Sequence, residues 1–401
     1  MRSVKFMKFA VSPIIALAFL SALLSFGKFD HCFNANFATP DVYTHACYSD
    51  LPALFGARGL INHTWPYSSA TNAVEYPPVT GMVMWLTSLP THHDKSYFLI
   101  NVFLIAILFV GVASLIAKMK PELWYLLPLS PAVIGSLYIN WDLWAVGSAI
   151  LGIYYFDRRK YDYSAIALGL SIATKFFPIV LLAPIALIFY RRREMRSLAR
   201  YCIITSGTWL LINAPFILFN RTGWWRFFKM NGERGVDFGS LWYALNLLGI
   251  TTKNVNLLSI LLFAIGMAAF TLYFFSRYEL FDTPTLTSSA LTVVTIFTIS
   301  SKVYSPQYVL WLTPLAILAM RGRRDRSAFW IWQGAELIYH LAIWEYLASY
   351  SGSHFGLPAK VYALATLIRI AATIYLVIRI STRVKEPQES EFLISQVGGY
   401  A

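Results

Sequence analysis

In a 401-residue chain that is 57% hydrophobic and only 13% charged, an ionisable side chain beside an apolar run is costly and marks a candidate site. Asp50 follows Ser49 and precedes Leu51-Pro52, with Arg58 soon after. Glu75 stands before Tyr76-Pro77-Pro78, Asn140 and Asp142 flank Trp141, and Lys175 precedes Phe176-Phe177-Pro178. Lys302 lies just ahead of Ser305-Pro306-Gln307, and Arg221, Arg226, Lys229 and Arg234 crowd one stretch. Carboxylate, amide and basic groups converging on one face would form a reaction site for an anionic, membrane-embedded substrate.

Such groups need elements that hold them at membrane depth. Crossing about 30 Å of hydrocarbon takes roughly 20 mostly apolar residues in a helix. Met7–Phe26, Tyr97–Ala117, Tyr201–Asn220, Leu257–Arg277, Phe329–Tyr350 and Lys360–Ile380 qualify. Backbone groups cannot go unpaired in lipid, and the alternating pattern of barrel strands is absent, so helices are expected. The fold class is an all-α polytopic integral membrane protein, a single domain over residues 1–401.

The net charge of +13 is no nucleic-acid footprint, because the basic residues fall in short clusters between apolar runs. These are Arg2/Lys5/Lys8, Arg158-Arg159-Lys160, Arg191 to Arg200, Arg321 to Arg326 and Arg379 to Lys385. The positive-inside pattern puts them, both termini and the tail 381–401 in the cytoplasm. No small-residue cleavage site follows Met7–Phe26, so a retained first helix is expected.

Those assignments fix the parity of the rest. Lys28–Glu75 becomes a long first outer loop, expected to carry short helices on the membrane surface, and residues 221–256 become a second outer loop. The four apolar pieces between Tyr76 and Phe156 must make an odd number of crossings. Either Pro77–Leu89 does not cross, the preferred reading, or Leu123–Phe156 is one broken helix. Tyr163–Tyr190 lies between basic loops and must go out and return in two short arms, with Lys175 at the tip. About twelve crossings result, and no internal repeat of the transporter kind is evident. Cys32 and Cys47 share the first outer loop, where a disulfide and two free thiols are equally open. Cys202 reads as packing.

Four stretches, in order, carry a resemblance. The first is Cys47-Tyr48-Ser49-Asp50-Leu51, followed by Ala57-Arg58-Gly59-Leu60 and Trp65-Pro66-Tyr67. Glu75-Tyr76-Pro77-Pro78 is the second. The third runs from Asn140-Trp141-Asp142 to Thr174-Lys175-Phe176-Phe177-Pro178, and the fourth is Ser305-Pro306-Gln307-Tyr308 with Trp311-Leu312-Thr313-Pro314. Together they resemble the polyprenol-phosphate-mannose-dependent mannosyltransferases, glycosyltransferase family 87 of the GT-C structural class.

The resemblance implies about twelve transmembrane helices, a catalytic first outer loop over 28–75, and inverting transfer of a sugar, mannose before arabinose or glucose. The donor is a polyprenyl-phosphate sugar, the acceptor a lipid-linked or glycan hydroxyl, and the active site is extracytoplasmic, in a bacterial plasma membrane. Asp50 becomes the general base, with Asp41 as second choice. Lys175, Arg221, Lys302 and Arg58 bind the donor phosphate, where cations offset the leaving group's charge. Glu75, Tyr76, Asn140, Asp142, Gln307 and His45 line the sugar and acceptor. No cofactor and no metal ligands are assigned, with a divalent cation left open. Membrane lipids are partners and nucleic acid is not. Family members carry a histidine near the Ser-Pro segment where this chain has Gln307, so Asp50 acts alone or with help from His45 or His340.

Plainer readings stand beside these. Asp50 caps a surface helix, and Asn140 and Asp142 cap a helix or organise the site. Lys175 snorkels to the interface. Glu336 and His340, one helical turn apart, form a buried structural pair, and Trp224-Trp225 and Phe227-Phe228 anchor at the interface. A transporter or flippase of an anionic polyprenyl-linked lipid would use the same cations without needing Asp50. A noncatalytic scaffold would leave Asp50, Lys175 and Lys302 far apart.

Overall fold

The computed structural model describes residues 2–68, 73–277, 283–321 and 323–381, the side chains of 2–12, 277, 283–285 and 323–324 excepted. Among the described residues all regular structure is helical, as the apolar pattern requires. The basic side chains of Arg2, Lys5 and Lys8 and the tail beyond residue 381 lie outside the described residues.

Asp94–Met119, Met195–Phe219, Val255–Arg277 and Ala359–Ser381 are long and apolar enough to cross a membrane. Their outward faces are apolar, with Leu211 78% and Phe219 80% exposed, which suits lipid rather than water. The expected crossing count is larger. Phe177–Arg191 and Pro306–Ala319 are apolar but shorter, while Pro13–Gly27 and Leu286–Ser300 are the apolar parts, with described side chains, of the longer helices Arg2–Gly27 and Thr283–Ser300. The expected span Phe329–Tyr350 lies in a 28-residue helix, Arg323–Tyr350, made too polar to qualify by interior groups such as Gln333, Glu336 and His340.

Between residues 76 and 156 the helices other than Asp94–Met119 are short or broken. Pro78–Ser88 has 11 residues, a rise of about 16 Å, too short to span. The stretch after Met119 is also broken, into Leu126–Leu129, Pro131–Ser136 and Asp142–Asp157. Pro128 and Pro131 each remove a helix-forming N–H there. The break expected at Lys175 is present: Tyr161–Thr174 ends, Lys175 is extended, and a tight turn over Phe177–Leu181 leads into Leu182–Arg191. Pro178 carries no N–H to bond the Thr174 carbonyl four residues back, so the helix cannot run on through the break.

The described residues of the first long loop are folded. It carries helices Asp30–Asn34, Asp41–Thr44 and Asp50–Ala57, and a Cys32–Cys47 disulfide closes its early part, with Cα atoms 6.1 Å apart. The Arg323–Tyr350 and Ala359–Ser381 helices are joined by a buried ion pair. Arg369 Nε donates to Glu336 Oε2 at 2.8 Å, and its other nitrogens donate to the carbonyls of Tyr304 (2.6 Å) and Ser305 (3.0 Å). The guanidinium is stacked on the Tyr304 ring at 3.5 Å and the Tyr339 ring at 4.1 Å. A charge so enclosed is tolerable only because each donor finds an acceptor. This pair fixes the segment that leads to Pro306-Gln307 and Trp311.

Candidate active site

Asp50 opens its helix but does not cap it. The cap is Ser49, whose Oγ accepts from the Leu51 amide at 3.1 Å and donates to the Tyr138 carbonyl at 2.7 Å. The Asp50 amide in turn donates to the Ile139 carbonyl at 2.7 Å. The helix start is therefore bolted to residues 138–139, and the cap reading of Asp50 is replaced. Its half-buried carboxylate accepts from Tyr48 Oη at 2.9 Å and from Asn140 Nδ2 at 2.6 Å.

Asn140 is the hub. The same Nδ2 donates to Tyr76 Oη at 2.8 Å, while Oδ1 accepts from the Trp141 amide at 2.5 Å and from Lys175 Nζ at 3.4 Å. Lys175 Nζ pairs with Asp142 Oδ2 at 2.7 Å and lies 5.3 Å from the Tyr76 ring centroid. Asp142 is fully buried and accepts from Trp311 Nε1 at 2.5 Å through Oδ1. Trp311 is clamped between Phe177 (3.7 Å) and Tyr308 (3.6 Å), both rings stacked. Thr80 Oγ1 donates to the Thr174 carbonyl at 2.6 Å, tying the Pro78–Ser88 helix to the Lys175 break. All four stretches that carry the resemblance thus meet in one cluster.

The electrostatics favour a poised base. Burial pushes the Asp50 carboxyl above its ordinary value, and the charge of Asp142 adds to the rise. Hydrogen bonds from Tyr48 and Asn140 and the charge of Lys175 pull it down without overcoming burial. The Asp50 charge and burial raise the Tyr48 phenol, which stays protonated as a donor. A carboxylate held in this way can accept a proton from a hydroxyl that approaches its exposed side.

The expected ring of cations around Asp50 is not present. Arg58 forms an ion pair with Glu75, its Nη2 donating to Oε1 at 2.6 Å, so neither side chain reaches Asp50 through any described contact. Glu75 raises the Arg58 pKa. Lys302 Nζ sits among the carbonyls of Asn231 (3.0 Å), Gly232 (3.2 Å) and Arg234 (2.5 Å) and Asn256 Oδ1 (2.6 Å), closing the end of Arg221–Glu233. That ammonium is thus taken up by backbone carbonyls and one amide oxygen. Burial, and then the Arg234 charge, lower its pKa.

Arg221 lines a separate cavity of about 950 Å³ with Leu218, Trp225, Arg226, Lys229 and Glu233; Asp50 is not among the lining residues. The helix bearing those cations still abuts the site. Phe227 and Phe228 pack on Phe176 at 6.1 and 5.7 Å, and Gly223 comes so close to the Tyr67 backbone that an added Cβ would lie 2.1 Å from the Tyr67 oxygen.

The remaining candidates separate. Gln307 is buried in the Pro306–Tyr308 turn, one helical turn before Trp311. His45 pairs with Asp41, Nδ1 to Oδ1 at 3.0 Å, so both stand apart from the Asp50 hydrogen-bond cluster. Glu336 and His340 are not each other's partners. Glu336 binds Arg369, whereas His340 contacts Ser136 Oγ (3.3 Å), Lys28 Nζ (3.3 Å) and Trp344 Nε1 (3.2 Å). Sequence reading missed three residues: Tyr48, Trp311 and Arg369. Arg369 had a signal, as a lone guanidinium midway along the apolar run Lys360–Ile380. Tyr48 and Trp311 look like any other aromatic in a chain with 24 tyrosines and 13 tryptophans.

Set against known proteins, the chain matches no family model and no curated protein sequence.

Proposed function

We propose that the protein is an inverting glycosyltransferase of the GT-C type, with about twelve crossings, moving a sugar from a polyprenyl-phosphate donor to a hydroxyl acceptor at the outer membrane face. The observation that carries the reading is the Asp50 carboxylate, held by Tyr48 and Asn140, with Asn140 also bonded to Tyr76 and Lys175. Asp50 takes the proton of the acceptor hydroxyl as that oxygen forms a bond to the anomeric carbon. The bond from that carbon to the phosphate oxygen breaks, and its electron pair leaves with the polyprenyl phosphate. A single displacement inverts the centre. Lys175 steadies the developing charge while Asp142 positions it. Mannose is the sugar the resemblance favours, and the acceptor is a glycolipid or glycan.

The test is transfer by the purified full-length chain, in lipid, from a synthetic polyprenyl-phosphate sugar to a lipid acceptor. Transfer that survives Asp50→Asn in a folded protein refutes this assignment. The separate cavity lined by Arg221, Arg226 and Lys229 favours a second reading, a flippase of an anionic polyprenyl-linked lipid. That reading predicts lipid translocation in vesicles without transfer, unaffected by Asp50→Asn.

A further inference from the structure

We propose that His31, Asp41 and His45 form a binding site for a divalent transition metal, zinc by preference, on the loop that precedes Asp50. This inference is independent of the reaction at Asp50.

His31 lies in the Asp30–Asn34 helix, Asp41 opens the Asp41–Thr44 helix, and His45 follows one turn later on the same face. The Cys32–Cys47 disulfide joins the neighbours of both histidines and so holds the two segments in register. Each histidine addresses a different oxygen of one carboxylate. His31 Nε2 lies 2.7 Å from Asp41 Oδ2 and His45 Nδ1 lies 3.0 Å from Oδ1. The two rings stack at 3.6 Å, and the three donor atoms fall within 4.8 Å of one another.

Two imidazoles stacked face to face on one carboxylate cannot both carry charge without repelling each other. Each turns one ring nitrogen toward Asp41, so a metal ion seated between the three groups would replace both contacts with ligand bonds. Zinc bonds of about 2.0–2.2 Å in a tetrahedral arrangement place donor atoms roughly 3.3–3.5 Å apart. The observed separations of 2.7 and 3.0 Å need to open by roughly 0.3–0.8 Å to reach that spacing, and both rings are exposed enough to turn. Two imidazole nitrogens select zinc, nickel or copper over magnesium or calcium. Three protein donors leave a fourth position for water. Thr44 Oγ1, 3.1 Å from His45 Nδ1, is a ready neighbour for that water. Bound there, the ion would clip the loop a second time beside the disulfide.

The experiment uses the full-length chain in detergent, without a polyhistidine tag and stripped by chelator, titrated calorimetrically with zinc. One equivalent is expected to bind. His31→Ala and His45→Ala are each expected to weaken binding at least tenfold. His92→Ala, at a ring stacked on His63 at 4.2 Å with its Nδ1 on the Ile61 carbonyl at 2.7 Å, should not. Metal-free variants should unfold at the same temperature as the metal-free parent, which separates lost ligands from lost fold. Zinc should also shield His31 and His45 of the unmutated protein from imidazole acylation, read by peptide mass spectrometry. Absence of stoichiometric binding, equal affinity in the His31→Ala/His45→Ala double variant, or no shielding overturns the proposal.

Discussion

Two regions bury charge, and they do so in opposite ways. Around Arg369 the polar groups are saturated: the guanidinium meets Glu336, two carbonyls and two ring faces, and both charged side chains are essentially inaccessible. Around Asp50 the carboxylate receives two hydrogen bonds, retains lone pairs and stays partly exposed. A closed network fixes shape, and an open one leaves capacity for a substrate. The difference separates a structural ion pair from a chemical one more cleanly than burial or charge alone.

The sharpest way to break that contrast is to remove one charge from each. Asp50→Asn should lower transfer by about 100- to 10,000-fold, the range of a lost general base, while helical content and detergent monodispersity persist. Measured turnover with polyprenyl-phosphate sugar checks it, and a fall in folding instead of rate would erase the distinction. Arg369→Ala should destabilise the protein by about 3–5 kcal/mol because it strands Glu336, read as a lowered unfolding temperature. Replacing both partners together, Glu336→Leu with Arg369→Met, should recover most of that loss.

A smaller effect is expected where the cationic helix meets the site. Gly223→Ala must push Arg221–Glu233 away from Tyr67, at roughly 1–3 kcal/mol by the usual cost of overpacking, again read by thermal unfolding. The smallest concerns pH. Asp50 must be ionised to act, and burial raises its pKa, so the acid limb of the rate profile should lie above that of an ordinary aspartate. The Tyr48 hydrogen bond lowers that pKa, so Tyr48→Phe should move the limb further toward neutral pH; a shift in the opposite direction contradicts the geometry. The linked stability has the matching sign: the fold favours protonated Asp50, and its contribution fades as pH rises through the raised value.

Much of the site was legible because polar residues beside apolar runs are expensive and therefore few. Asp50, Asn140, Asp142 and Lys175 could be picked out on that ground, and the structure brings them together. The cations could not be sorted in the same way. Lys302 binds backbone carbonyls, which leave no mark in a sequence, and Arg58 finds Glu75 only after the loop has folded. Trp311 needed the third dimension, since its role depends on the Asp142 oxygen it reaches across the fold. For the membrane helices, positions were legible and crossing numbers were not. Hydropathy places a helix, but interior polar groups in Arg323–Tyr350 and prolines in the 126–136 stretch interrupt the simple rule relating length to thickness.

The attachment of Ser49 and Asp50 to Tyr138 and Ile139 means that the backbone of residue 50 is set by the segment after Ser136, while its carboxylate is shared between Tyr48 on one side and Asn140 on the other. The loop that leads up to Asp50 is anchored elsewhere, with Tyr43 and Tyr48 packed against Trp344 of the Arg323–Tyr350 helix. A side chain pinned from two distant stretches of sequence keeps its place only while both stay packed.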